Sequence, residues 1–164
     1  RFSIKHPNSN ISLIGTSAGG CIALALALKI NKENKKPLHS LVLYSPLTDL
    51  SESYKNINEI TDKVIPKTCK KGCRKVILGK YKKKDMYASP LLHVGNNLPK
   101  TLIAVDNNET LFTDSYVLYN KCLENNITSK LILYKNTYHA FQTLANKTKE
   151  TNELLEITNE FIKG

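Results

Sequence analysis

Four short runs of aliphatic residues recur along the chain, with little polar alternation inside each run. This pattern is typical of strands that are covered on both faces. The predicted strands lie at residues 11–14, 41–44, 101–105 and 130–134. Each run is followed by a helical pattern or by a loop that leads to one, so we expect strands and helices to alternate.

Apolar residues at helical spacing predict helices at residues 20–31, 68–79, 114–125 and 151–162. The third of these has Asp114 as its expected N-cap, with Val117, Leu118 and Cys122 on its inner face. Alternating strands and helices need long crossovers, which produce a parallel sheet. We therefore predict an α/β fold with a mainly parallel sheet flanked by helices.

Residues 48–90 depart from this alternation, because they contain one basic helical pattern and no convincing strand. We interpret them as an insertion over the sheet. The 164 residues have 41% hydrophobic content, which is enough for a real core. The sequence thus predicts a single domain over residues 1–164, with a basic insertion at about 48–90.

The formal net charge of +10 has a local origin. Residues 63–84 hold ten basic residues and no acidic one, and the rest of the chain carries fourteen of each sign. Only Arg74 among the ten is an arginine, and lysines with little aromatic interleaving lack the groups that base recognition favours. We therefore predict no nucleic-acid partner. A solvated helix face is the favoured interpretation, and weak contact with a membrane surface or an acidic partner is the alternative.

Four cysteines are too few for a disulfide scaffold in a chain of this size, so we expect reduced, buried thiols. Cys69 and Cys73 stand four residues apart within an apolar helical stripe that continues with Val76 and Ile77. No further cysteine or histidine lies within fifteen residues of this pair, so we predict no metal site.

Neither a membrane-spanning run nor a signal-peptide pattern is found in the sequence. We therefore expect a cytoplasmic location. The chain begins with Arg1 rather than methionine, which suggests that a preceding part is missing.

The segment Gly15-Thr16-Ser17-Ala18-Gly19 fits G-x-S-x-G, with a predicted strand before it and a predicted helix after it. A serine held on a sharp strand-to-helix turn needs neighbours without side chains where the backbone approaches closely. The Ala18 N–H at the helix start could then stabilise the oxyanion that forms when Ser17 attacks a carbonyl. A glycine-rich packing turn or a phosphate-binding loop is the alternative.

A serine needs a base, and His139 is the candidate because it follows the last predicted strand, at the sheet edge where Ser17 lies. His6 and His39 precede predicted strands, and His93 lies in a connection that leads to the next strand. The third member must be a carboxylate that orients the imidazole. Asp106 and Glu109 both follow the third predicted strand, and chemistry alone does not separate them.

Six segments together resemble the hormone-sensitive-lipase-like esterases, the α/β-hydrolase fold-3 family, in its GTSAGG subgroup. They are GTSAGG at residues 15–20, YSPLTDL at 44–50, ASPLL at 88–92, LPKTLIAV at 98–105, ETLFTDS at 109–115 and YHAF at 138–141. The resemblance implies an α/β-hydrolase fold, with Glu109 rather than Asp106 as the triad acid. It also implies short or medium acyl esters as substrates, and no cofactor or metal.

These esterases carry an HGGG-type segment upstream of the serine motif, and this chain has none. We therefore interpret the chain as the carboxyl-terminal half of the fold, without the upstream oxyanion donors. The leading hypothesis is a carboxylic-ester hydrolase in which Ser17, Glu109 and His139 work through an acyl-enzyme. The alternative is a catalytically silent hydrolase-like domain that acts by binding.

Overall fold

The computed structural model describes residues 8–57, 61–79, 81–96 and 98–164, and its centre is a four-stranded sheet. The strands are ordered β1-β2-β3-β4, and each neighbouring pair is parallel. They are β1 Ser12–Thr16, β2 Ser40–Tyr44, β3 Lys100–Asp106 and β4 Ser129–Tyr134. The predicted α/β architecture is confirmed, and no strand bound differs from its prediction by more than two residues.

Four helices connect or follow these strands. They are α1 Ala18–Lys32, α2 Cys69–Ile77, α3 Phe112–Glu124 and α4 Lys149–Lys163. Two short 3-10 turns, Pro90–His93 and Phe141–Thr143, complete the regular elements of the described residues. All four predicted helices are present, and none of the described helices is long and apolar enough to cross a membrane.

The helices cover the two faces of the sheet unequally. Leu24 and Leu28 of α1 and Leu118 of α3 share one core cluster with the sheet residues Leu41 and Ile103. On the opposite face, Leu154 of α4 packs in a second cluster with Val42 and Leu102. Strand β2 is buried along its whole length, as expected for a strand covered on both faces. The edge strands β1 and β4 instead expose Ile14 and Leu133.

The prediction that Asp114 caps α3 is wrong. The helix begins at Phe112, two residues earlier, and Leu111 holds the N-cap position. Asp114 is buried, and its carboxylate accepts hydrogen bonds from the backbone N–H groups of Thr48 at 2.8 Å and Asp49 at 2.9 Å. Its function in the fold is therefore to fix the chain that leaves β2.

The described part of residues 48–90 contains α2 and no strand, as predicted. One side of α2 faces the body of the protein, where Lys70 forms a buried ion pair with Asp114. Burial raises the pKa of Asp114, while Lys70 and the two backbone N–H groups act in the opposite direction. The expectation of buried thiols is wrong for this helix, because Cys69 and Cys73 are only half-buried, while Cys21 and Cys122 are buried.

Candidate active site

Ser17 stands between β1 and α1 in a strained backbone conformation. Its φ of 55° and ψ of −121° lie in a region that a residue with a side chain rarely adopts. Three backbone hydrogen bonds hold the turn: the Ser17 N–H donates to Tyr44 O at 3.0 Å, and Ser17 O accepts from Gly20 and Leu47 at 2.9 Å each. A conformation of this kind costs about 1–3 kcal/mol, which the surrounding structure must supply.

Two glycines allow the chain to pass through this turn. A Cβ on Gly15 would lie 2.5 Å from Gly19 O, and a Cβ on Gly20 would lie 2.5 Å from the Pro46 Cβ. Gly19 is different, since a Cβ on this residue would point into open space, with no contact within 4 Å. The expected steric need for glycine is therefore confirmed at Gly15 and is wrong for Gly19, while Gly20, outside the G-x-S-x-G motif, is under the same constraint.

Ala18 is the first residue of α1, directly after Ser17. The N–H groups in the first turn of a helix have no acceptor within the helix and lie at the positive end of its dipole. The Ala18 N–H thus occupies a position that suits it to stabilise negative charge next to Ser17.

The loops that follow β3 and β4 bring Glu109 and His139 together. The His139 Nδ1 lies 3.6 Å from the Glu109 Oε1, and the two side chains are 7% and 2% exposed. Such a separation is longer than a normal N–H to oxygen hydrogen bond. Neither His139 Nδ1 nor Glu109 Oε2 has a hydrogen-bond partner among the described residues, although both atoms are buried.

Ser45 is a member of this cluster that sequence reasoning did not identify. It directly follows β2 with a positive φ of 43°, and its hydroxyl donates to the Glu109 Oε1 at 2.8 Å. Its backbone N–H donates to Ala104 O at 2.8 Å, which fixes the residue against β3. The signal in the sequence was its position directly after a strand, the same signal that selected Asp106.

Asp106 has a different environment from Glu109, although the two residues are three apart. The Asp106 Oδ2 accepts from the backbone N–H of Thr137 at 2.8 Å and from its hydroxyl at 2.9 Å. The Asp106 Oδ1 accepts from the Asn108 N–H at 2.9 Å. Asp106 therefore joins the loop after β3 to the loop that carries His139.

The turn that follows His139 is also attached to the serine turn. The Gln142 side-chain amide donates to the hydroxyl of Thr16 at 3.0 Å. Because Thr16 immediately precedes Ser17, this bond links the segments that carry the candidate base and nucleophile. Gln142 was not singled out in the sequence, where nothing marks it as a partner of residue 16.

The other histidines have separate contacts. The His39 Nε2 lies 2.8 Å from Ile162 O, and the His93 Nε2 lies 2.8 Å from Lys84 O. His6 lies outside the described residues. Among the residues that the structure describes, no group of three or more His, Cys, Asp or Glu side chains is arranged to hold a metal ion.

Asp62 connects the chain before α2 to the loop that carries Glu109. Its carboxylate accepts backbone N–H bonds from Val64 at 2.8 Å, Ile65 at 2.9 Å and Thr110 at 3.0 Å. Burial alone would raise the pKa of Asp62, but these hydrogen bonds and the nearby His139 hold it below its usual value. A polar cavity of about 220 Å³ lies between Asp62, Glu109 and the His139 loop.

Comparison with known proteins identifies one family. The model of the alpha/beta hydrolase fold family Abhydrolase_3 matches residues 2–143, which is most of the chain. The match includes Ser17, Glu109 and His139.

Two curated relatives from Mycobacterium tuberculosis are esterases of greater length. Esterase LipU is 28% identical over 98% of this chain and 56% of its own length. Carboxylesterase/phospholipase LipF is 29% identical over 93% of this chain and 43% of its own length. The chain thus spans about half the length of the curated relatives it matches.

Solved structures show the same fold. An esterase from the bacterial hormone-sensitive lipase family superposes with a TM-score of 0.87, at 23% identity over 99% of this chain and 56% of that one. The hormone-sensitive-lipase homologue EstE7 from a metagenome library gives a TM-score of 0.81, at 25% identity over 93% of this chain and 53% of that one. The four-stranded sheet and its helices therefore match about half of an esterase structure.

Proposed function

Since the chain belongs to the alpha/beta hydrolase fold family, we propose that it contributes a Ser17, Glu109 and His139 triad to the hydrolysis of carboxylic esters. The observation that carries this proposal is the backbone of Ser17. A serine held at φ 55° and ψ −121° between a strand and a helix is strained, and strain of this kind is concentrated at functional sites. A turn that only packed α1 on β1 would have no need of it.

The proposed reaction begins with His139 as general base. With Nδ1 directed toward Glu109, the Nε2 of His139 is left to take the proton from the Ser17 hydroxyl. The serine oxygen attacks the ester carbonyl, and the Ala18 N–H donates to the oxyanion that forms. Collapse of this intermediate releases the alcohol, which takes its proton from His139, and leaves an acyl group on Ser17. Water activated by His139 then hydrolyses the acyl-enzyme.

Glu109 is proposed to stabilise the imidazolium that forms in each step. Its Oε1 is already held by the Ser45 hydroxyl, and the Glu109 Oε2 and His139 Nδ1 are buried without partners among the described residues. A direct bond between these two side chains would satisfy both orphaned atoms. Catalytic hydrogen bonds are often long without substrate and shorten in the reactive complex, so the separation of 3.6 Å is compatible with this role.

Asp106 is the less suitable acid, because both of its oxygens accept backbone or hydroxyl hydrogen bonds. Turning toward His139 would break bonds that hold the His139 loop. The proposal therefore assigns Asp106 a positioning role for that loop.

The test uses a fluorophosphonate probe and the intact mass of the protein. An activated serine oxygen forms a bond to phosphorus and displaces fluoride, so labelling requires no knowledge of the natural ester. We expect one label on the chain and none on Ser17→Ala. Ser53→Ala removes an exposed serine that contacts Ser51 and Asp49 and is the matched control, which should label as the unmodified chain does.

Ester hydrolysis that persists in Ser17→Ala would contradict the proposal. Absence of labelling in a chain with a folded circular dichroism spectrum would also contradict it for this chain. That result would favour the alternative of a hydrolase-like domain that acts by binding.

A further inference from the structure

One flank of α2 carries an apolar surface, which extends from the half-buried Cys73, packed against a core cluster that includes Leu47 and Leu111, to the exposed Val76. A depression of about 460 Å³ is lined by Ile65, Pro66, Cys69, Gly72, Cys73 and Val76. Val76 is 84% exposed, and Val64, which precedes the depression in the chain, is 55% exposed. Burial, together with its contact to Cys73, raises the pKa of the Cys69 thiol to about 11, so the thiol is neutral near pH 7. We call these six residues the apolar depression.

Exposed lysines flank the apolar depression. At about 100° per residue, Lys71 and Lys75 form a row beside the row of Gly72 and Val76. Lys63 and Lys67 bracket Ile65 and Pro66 in the chain. All four lysines are exposed, and none forms an ion pair with an acidic side chain of the described residues.

The two remaining cations of α2 hold the helix in place. Lys70 forms the buried ion pair with Asp114, and Arg74 pairs with Glu52 and donates to Leu50 O at 3.2 Å. At the other end, the Thr110 hydroxyl donates to Ile65 O at 2.8 Å. The apolar depression is therefore presented outward from a helix that is fixed to the body.

We propose that the apolar depression and its flanking lysines dock on an anionic lipid bilayer. Val76 and Pro66 would enter the acyl-chain boundary, while the four flanking lysines would lie at the level of the lipid phosphates. This inference goes beyond the proposed ester hydrolysis and does not depend on it.

The chemistry of the surface favours lipid over other occupants. A second copy of the chain would bring two sets of exposed lysines together, which repel each other. A nucleic acid would find Arg74 already paired with Glu52 and no aromatic side chain in the lining of the depression for base stacking. A bilayer surface supplies both phosphates and an apolar layer, so it matches the lysines and the depression together.

The test measures co-sedimentation of the 164-residue chain with phosphatidylcholine vesicles that contain about one third phosphatidylglycerol. We expect binding at low salt that weakens steeply as salt is raised, and little binding to pure phosphatidylcholine. The double variant Lys71→Glu/Lys75→Glu should weaken binding at least about twenty-five-fold, because each lysine near an anionic surface contributes about a fivefold gain in affinity. Val76→Asp should weaken binding without removing any lysine.

Two variants act as matched controls. Lys147→Glu/Lys149→Glu makes the same change in net charge at two other exposed lysines. Leu123→Asp, like Val76→Asp, replaces an exposed aliphatic side chain with aspartate, but on α3. Both should bind almost as the unmodified chain does, with circular dichroism confirming the fold of every variant. Failure of the folded chain to bind at low salt would overturn the proposal, as would an equal loss in the controls.

Two further measurements distinguish other occupants of the apolar depression. Binding to polyglutamate without binding to vesicles would overturn the lipid proposal and indicate an acidic protein partner instead. Sedimentation velocity would reveal a concentration-dependent dimer. A dimer that Val76→Asp abolishes, in a chain that does not bind vesicles, would overturn the lipid proposal and indicate a second copy of the chain instead.

Discussion

The carboxyl edge of the sheet and the basic segment, residues 63–84, are joined through Thr110 but hold their charges in opposite ways. At the sheet edge, Glu109 and His139 are almost fully buried and face each other. In the described part of the basic segment, most cations are exposed, and the two that form ion pairs there, Lys70 and Arg74, attach the helix to the body. Buried charge is therefore used where orientation matters, and exposed charge where it can act on a partner.

The two regions also differ in the expected effect of a single substitution on activity and stability. A buried group that loses its partner leaves a desolvated charge behind, whereas an exposed lysine is already hydrated. Substitutions of Glu109 or His139 are thus expected to affect activity. Substitution of Lys70, which anchors α2 to the body, is expected to affect stability, and substitutions of exposed lysines on α2 are expected to affect neither.

The largest effect is expected for Glu109→Gln. The amide keeps the shape of the side chain but removes the charge that is proposed to stabilise the imidazolium, so kcat should fall by about 10³ to 10⁴. Hydrolysis of p-nitrophenyl esters by the folded variant measures this. The free energy of unfolding, from urea titration, should change far less than the activity does. A fall of less than about tenfold in kcat would show that another group orients His139.

The buried ion pair between Lys70 and Asp114, which anchors α2 to the body, should give the largest loss of stability when it is broken. Lys70→Met removes the partner of Asp114, whose carboxylate would be left buried, and should lower the free energy of unfolding by about 3–5 kcal/mol. Lys71→Met is the matched control on the exposed side of the same helix and should change it by less than about 0.5 kcal/mol. Equal effects of the two variants would show that the Lys70–Asp114 pair does not anchor α2.

Local features of the sequence predicted the fold and the serine turn well. Each buried strand is a short aliphatic run, and the motif that forms the Ser17 turn is contiguous in the chain, although Tyr44 and Leu47 also hold it. Long-range polar partners were not predictable in this way. Ser45 and Gln142 contact Glu109 and Thr16 from 64 and 126 residues away, and no pattern in a single sequence marks such pairs.

The two carboxylates after β3 show the same limit at short range. Asp106 and Glu109 have the same residue chemistry and follow the same strand, so only the path of the turn determines which one faces His139. Asp114 illustrates the opposite error. It was expected to be a helix N-cap because aspartate is common at that position, which is a purely local rule. Tertiary contacts with Lys70, Thr48 and Asp49 instead bury this carboxylate inside the protein.

A smaller effect, of a different kind, is expected for Asp106→Asn at the sheet edge. The amide can replace only part of the three hydrogen bonds that the carboxylate accepts, so the free energy of unfolding should fall by about 1–3 kcal/mol. If Asp106 only positions the His139 loop, kcat should fall much less than in Glu109→Gln. Urea titration and ester hydrolysis on the same preparations separate the two effects. A larger loss of kcat in Asp106→Asn than in Glu109→Gln would reverse the assignment of the acid.

The smallest effect concerns Asp62, whose contribution should depend on pH. Because its pKa is lowered in the folded protein, ionised Asp62 stabilises the fold above the ordinary aspartate value of 3.8, and this stabilisation is lost as pH falls through the lowered pKa. Asp62→Asn should therefore be less stable than the unmodified chain at about pH 7, with the difference shrinking as the pH falls below 3.8 and through the lowered pKa. Most of the lowering comes from backbone hydrogen bonds to Val64, Ile65 and Thr110 rather than from distant charge, so the difference should persist in about 0.5 M salt. Urea unfolding at each pH measures it, and a difference that does not change with pH would mean that the carboxylate charge does not hold the two regions together.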